Sequence, residues 1–189
     1  MNPFPRGSGA HELYERIEEE IPRLGLRPKE NGASFIVSDL QRMDDRTLLG
    51  AAPADSVMAQ CVRSGLLLRA DLLDHSHRVS QEIPTPTGSY WHGIMHRREG
   101  DFGNSKYWFR RVGAHPVYSE LADRVNALSL EQASEIAASG RFDPDLFVDL
   151  CAARFDGPPD ALADELERAQ ETEIDLLLEW SFRNAIRAP

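Results

Sequence analysis

Apolar residues in this chain recur three and four positions apart, and proline and glycine cut that rhythm into helix-length pieces. Nowhere does the pattern alternate between strand and helix periods, so a parallel sheet with crossover helices is excluded from the outset. The clearest run begins after Asp55, a residue suited to cap a helix start. Met58, Cys61, Val62, Leu66, Leu68, Leu72, Leu73 and Val79 then predict one long helix reaching about Gln81, with Gly65 weakening its middle. Pro84, Pro86 and Gly88 mark the turn beyond it.

Two further helices are expected over Ser89–Glu99 and Phe102–Val112, with Gly100 and Gly113 placed as their C-terminal glycines. A helix from Tyr118 to Leu128 comes next. Ser129 and Gln132 have capping-box spacing for another helix that Gly140 closes. Asp143-Pro144 starts one that runs through Arg154. After the Gly157-Pro158-Pro159 turn, Leu162, Leu166, Ile174, Leu178, Phe182 and Ile186 stripe a final helix or helix pair from Asp160 to about Arg187. Towards the N-terminus, helices are expected from Ala10 to Ile21 and from Asp45 to Ala51. The weak pattern around Ser34–Ser38 (SFIVS) reads as extended loop, and residues 1–9 as a flexible arm. The fold expected is all-α, an irregular multi-helix bundle, with residues 10–189 forming a single domain.

The charge balance narrows the partners. A formal net charge of -10 disfavours nucleic acid and anionic membranes. No run of about 18 apolar residues is present to span a bilayer, and residues 1–9 lack the apolar core of a secretory signal. Cys61 and Cys151 both lie in apolar, helix-like surroundings and read as reduced, buried thiols. A soluble, cytoplasmic protein is the expectation, with a homo-oligomer left open.

Against that acidic background one block stands apart: SYWHGIMHRREGDFGNSKYWFRRVGAHP, residues 89–116. It holds three of the six histidines, two of the three tryptophans and five of the 21 basic residues. On a helix, His92, His96 and Glu99 stand at i, i+4 and i+7 and share one stripe. Two imidazoles one turn apart can reach a single metal ion, and a carboxylate a turn further can add a ligand. Gly93 comes after His92 where a zincin protease would carry its glutamate, so that activity is not supported. Counting along an antiparallel pairing of the 55–81 and 89–99 helices sets His75 level with about His96, whereas His77 points elsewhere. His115, ahead of Pro116, can approach from a loop. The metal candidates are therefore His92, His96, Glu99, His75 and His115, for zinc or a similar divalent transition metal. His92, His96 and Glu99 are also the candidate catalytic groups.

Arg97, Lys106 and Arg110 are the expected anion contacts, since guanidinium and ammonium groups suit carboxylate or phosphate. Trp91 and Tyr107 are candidate ring-binding surfaces. Arg98 falls on the apolar side and should be buried and paired, or should cap the helix end. Each feature also has a purely structural reading: buried histidines with hydrogen bonds, core aromatics, and ion pairs to the acidic body. No phosphate-binding glycine loop, dinucleotide fingerprint or GxSxG elbow occurs. The leading expectation is a metal-dependent enzyme, a hydrolase or lyase, acting on a small anionic substrate through a His/Glu site. The alternative is a non-enzymatic helical binding module that uses residues 89–116 as a contact surface.

Overall fold

A computed structural model describes residues 2–29 and 31–187 of the chain. Among the described residues every regular element is helical: α1 Gly9–Glu20, α2 Phe35–Arg42, α3 Asp45–Leu49, α4 Ser56–Arg69, α5 Leu73–Ser80, α6 Pro86–Glu99, α7 Phe102–Val112, α8 Val117–Ala127, a 3-10 segment Ser134–Gly140, α9 Pro144–Arg154 and α10 Ala161–Ile186. The architecture is all-α, as the periodicity predicts.

Helices α4, α6 and α10 make the centre, and the others wrap them. The packing there is tight enough to require Gly65: a Cβ at that position would sit 2.7 Å from the Trp91 ring and 2.5 Å from Leu178. Helix α6 is enclosed along nearly its whole length, from Thr87 to Arg98. Its C-terminal Gly100 adopts φ 89°, a left-handed conformation that favours glycine. The turn it makes sends α7 back along α6, and the Ser105 hydroxyl ties the pair by donating to the Gly93 carbonyl at 2.8 Å. Cys61 on α4 and Cys151 on α9 are both buried free thiols. No described helix is long and apolar enough to cross a membrane.

Three expectations give way. Residues 35–42 are helix, not extended loop: Ile36 and Leu40, one turn apart, bury against the body while Ser38, Gln41 and Arg42 stay outside. Burial of that stripe overrides the β-branched composition of SFIVS. The single helix expected from Asp55 to Gln81 is two. It breaks at residues 70–72, where Asp71 takes φ 61°, and α5 folds back on α4. Ser64 and Ser76 clamp the hairpin, each hydroxyl donating to the other's carbonyl at 3.2 and 2.9 Å. The capping box at Ser129 does not form. Ser129 itself has φ 53°, and the carboxylate of Glu165, reaching from α10, accepts the backbone N–H groups of Glu131, Gln132 and Ala133 instead. Residues 134–140 accordingly form a kinked 3-10 segment rather than an α-helix.

Residues 2–8 are docked at several points. Phe4 is buried against Tyr14 and Phe182. The Asn2 side chain donates to the His11 carbonyl, and the Ser8 hydroxyl caps α1.

Candidate metal centre

The i, i+4 spacing on α6 brings His92 and His96 together as the sequence predicts. Their rings stack with centroids 4.7 Å apart and planes 14° from parallel. The indole of Trp108, carried by α7, extends the stack over His92 at 4.0 Å and 15°. A third imidazole completes the group, and it is His77 on α5. Its ring meets His92 at 4.7 Å and His96 at 5.4 Å, edge-on at 68° in both cases. One ligand nitrogen from each of His77, His92 and His96 lies within 4.8 Å of the other two.

His92 and His96 are buried, and His77 is half-buried at the edge. The Nδ1 atom of His92 is buried without a hydrogen-bond partner. Burial, reinforced by charge repulsion from His96 and then His77, pushes the His92 pKa down to about 3. It is therefore a neutral imidazole with an available lone pair at physiological pH. His96 Nδ1 donates to Glu99 Oε1 at 2.5 Å. That bond fixes the ring's orientation and turns Nε2 away from the carboxylate. Glu99 thus stands behind His96 and faces the ring on the side away from its free nitrogen. His96, Glu99 and Asp101 also bring one ligand atom each within 4.8 Å of the others, a second and more exposed set that could hold an ion and that includes the expected Glu99, although the Asp101 carboxylate already caps α7 through the Asn104 backbone and side-chain amides.

The remaining candidates are spread out. His75 lines a surface cleft with Leu72, Asp74 and Glu99 and takes no part in the imidazole group. The break at Asp71 starts α5 in a new register, so the stripe counted from α4 does not continue through it, and His77 faces α6 where His75 was expected. His115 is buried elsewhere: Nε2 meets the Thr87 hydroxyl at 3.1 Å, Nδ1 accepts the Val117 amide at 3.2 Å, and the ring packs on Tyr90 and Trp180. Burial takes its pKa down to about 4.

Trp91 is a core residue whose Nε1 donates to Ser181 Oγ. Arg97 is equally enclosed, ion-paired to Glu173 of α10 and lying over the Phe147 ring. Neither can touch a substrate from solvent. Arg98 is buried and paired, as expected, with Asp71 at 2.9 Å, and it reaches the Gly25 carbonyl. Lys106 is paired with Asp149 at 2.6 Å. Arg110 is exposed, and so is Tyr107, at 46%. The Arg111 guanidinium lies 5.2 Å from the Trp108 ring, and that ring stacks on His92.

His77 is the position that the sequence pattern misplaces. A clue to it is Asp71, an acidic residue inside the run LLLRADLLD and a residue type that tolerates left-handed backbone. Comparison with known proteins returns no match to this chain, whether among family models, curated sequences or solved structures.

Proposed function

We propose that the chain binds a divalent transition metal, zinc or similar, through His77, His92 and His96, and acts as a metal-dependent hydrolase or lyase on a small anionic substrate. The observation that carries the reading is the convergence of three imidazoles, one of them neutral, buried and lacking a partner at Nδ1. A buried imidazole without partners is costly unless something accepts its lone pair. A metal ion does so, and His96 backed by Glu99 has the carboxylate–histidine pairing that supports metal ligands.

Tetrahedral bonds of about 2.0–2.1 Å set donor atoms roughly 3.4 Å apart. Closing from the present separation takes a small movement, and one of the two stacked rings must rotate about χ2, because in-plane lone pairs of parallel rings do not converge. Three protein ligands leave a position open, the hallmark of a catalytic rather than a structural site. A metal bound there supplies Lewis acidity and lowers the pKa of its water. Arg111 beside Trp108 is the group best placed to attract an anion to that side.

The test is elemental analysis of protein purified without tag or chelator. His77→Ala and the pair His92→Ala/His96→Ala should lose near-stoichiometric metal, while His75→Ala retains it as the wild type does. Equal trace metal in all four proteins, persisting after dialysis against Zn²⁺ and then metal-free buffer, rejects the site. A second reading rests on the exposure of Tyr107 next to Trp108 and Arg111. Tyrosine, tryptophan and arginine are common at interface hot spots, so the same surface suits a non-enzymatic contact role. Full metal occupancy with no hydrolase or lyase activity would favour that role.

A further inference from the structure

Behind the imidazoles, on the inward side of α6, lies a second polar group set. Arg97 and Glu173 form an ion pair in which both side chains are essentially inaccessible, at 1% and 0% exposure. The pair satisfies little of their capacity. Arg97 keeps Nε and Nη1 without a partner, and Glu173 keeps Oε1. The hydroxyls of Tyr90 and Tyr118 are also buried without a partner. The two phenol rings are neighbours, with centroids 5.4 Å apart. Burial first, and then the charge of Glu173, raises the pKa of both phenols; the Tyr90 hydroxyl is close enough to Glu173 for hydrogen bonding to add to the rise, while Tyr118 lies within electrostatic reach of the same carboxylate. Gln170 closes another side: its Oε1 takes a long bond from Arg97 Nη2, while its Nε2 donates to the Gly25 carbonyl.

Buried donors and acceptors left unmade carry their desolvation penalty in full, so five such atoms in one region with so few direct bonds are not a resting arrangement. Their chemistry is complementary: two guanidinium donors, one carboxylate acceptor, and two hydroxyls that do either. A water molecule typically makes about three hydrogen bonds in such a place.

We propose that Arg97, Glu173, Tyr90 and Tyr118 line an internal hydration site in the bundle centre, holding about two ordered waters that bridge these five atoms. These waters belong to the folded architecture: they complete the anchoring of α6 to α10 from the side opposite the imidazoles. The site is independent of the metal reading, since none of its four residues is a proposed ligand.

A high-resolution crystal structure of the full chain tests it, read beside the melting temperature of Tyr118→Phe, a change that removes one hydroxyl and no packing. The expected result is discrete water density within hydrogen-bond distance of at least two of the five atoms, the loss of a bond to one water in the variant, and a lower melting temperature. Side chains collapsed into direct hydrogen bonds with no density between them overturn the proposal. So does density for an ion or small molecule in place of water, and so does a Tyr118→Phe protein that melts at or above the wild-type temperature.

Discussion

Helix α6 carries two sets of nitrogen-bearing side chains within seven residues, and they are built in opposite ways. His92 and His96 are imidazoles stacked on one another and on Trp108, with His92 neutral and lacking a protein partner at Nδ1. Arg97 and Arg98, the next two residues, are fully buried cations, each facing a buried carboxylate, Glu173 and Asp71. Burying a permanent charge demands an opposite charge in the fold. Burying an imidazole demands only that it stay neutral, which leaves a lone pair for another occupant. The arginines are consequently commitments of the fold, whereas the histidines are free to serve a ligand.

Removing an arginine should therefore strike stability and removing a histidine should strike binding. Arg97→Ala removes the counter-charge that faces Glu173 in the core, and we expect a loss of about 3–5 kcal/mol in urea unfolding. A loss under about 1 kcal/mol would mean the pair is solvated and the contrast false. His115 offers an intermediate case, a buried imidazole with both nitrogens engaged. Its pKa falls from 6.5 to about 4 on folding, so between those values the folded state binds fewer protons than the unfolded one. Its contribution is complete above pH 6.5 and is lost as pH falls towards 4. Between pH 7 and pH 5 the wild type should lose about 2 kcal/mol relative to His115→Asn. Parallel pH profiles for the two proteins would remove His115 from the argument.

Glu99→Gln keeps the shape behind His96 but weakens the pull on its Nδ1 proton. Zinc affinity, measured by competition with a chromophoric chelator, should drop about tenfold or more, with folding stability little changed. If affinity holds, Glu99 is a surface partner and not a support for the ligand. Arg111→Ala should be the mildest, within about 0.5 kcal/mol in stability because the side chain is exposed. Its effect is confined to anion binding near Trp108, read by the tryptophan fluorescence titration of phosphate.

The α6–α7 half of this comparison was legible in the sequence. His92, His96 and Glu99 lie within eight residues of one helix, and helical geometry alone relates them. Gly100 and Asp143-Pro144 likewise act locally, and the expected boundaries agree with the structure there. The third imidazole was not legible because its placement depends on Asp71. That residue holds left-handed backbone with help from partners distant in sequence: its carboxylate accepts the Lys29 amide and pairs with Arg98. No periodicity in residues 55–81 contains those partners. The Ser129 capping box failed for the same kind of reason, since Glu165 from a remote helix took the amides it would have used. Arg97 looked like an anion contact because a sequence does not say which basic residue has a carboxylate waiting inside. Glu173 sits 76 residues away.

The two cysteines give this chain a pair of built-in clocks. Burial holds both thiols at a pKa of about 12, so almost no thiolate exists near neutral pH, and only the thiolate attacks a labelling reagent. A reagent in solution can then modify Cys61 only when α4 comes away from the centre, and Cys151 only when α9 does. The two labelling rates would time the openings of two separate regions of one molecule, with no foreign probe introduced.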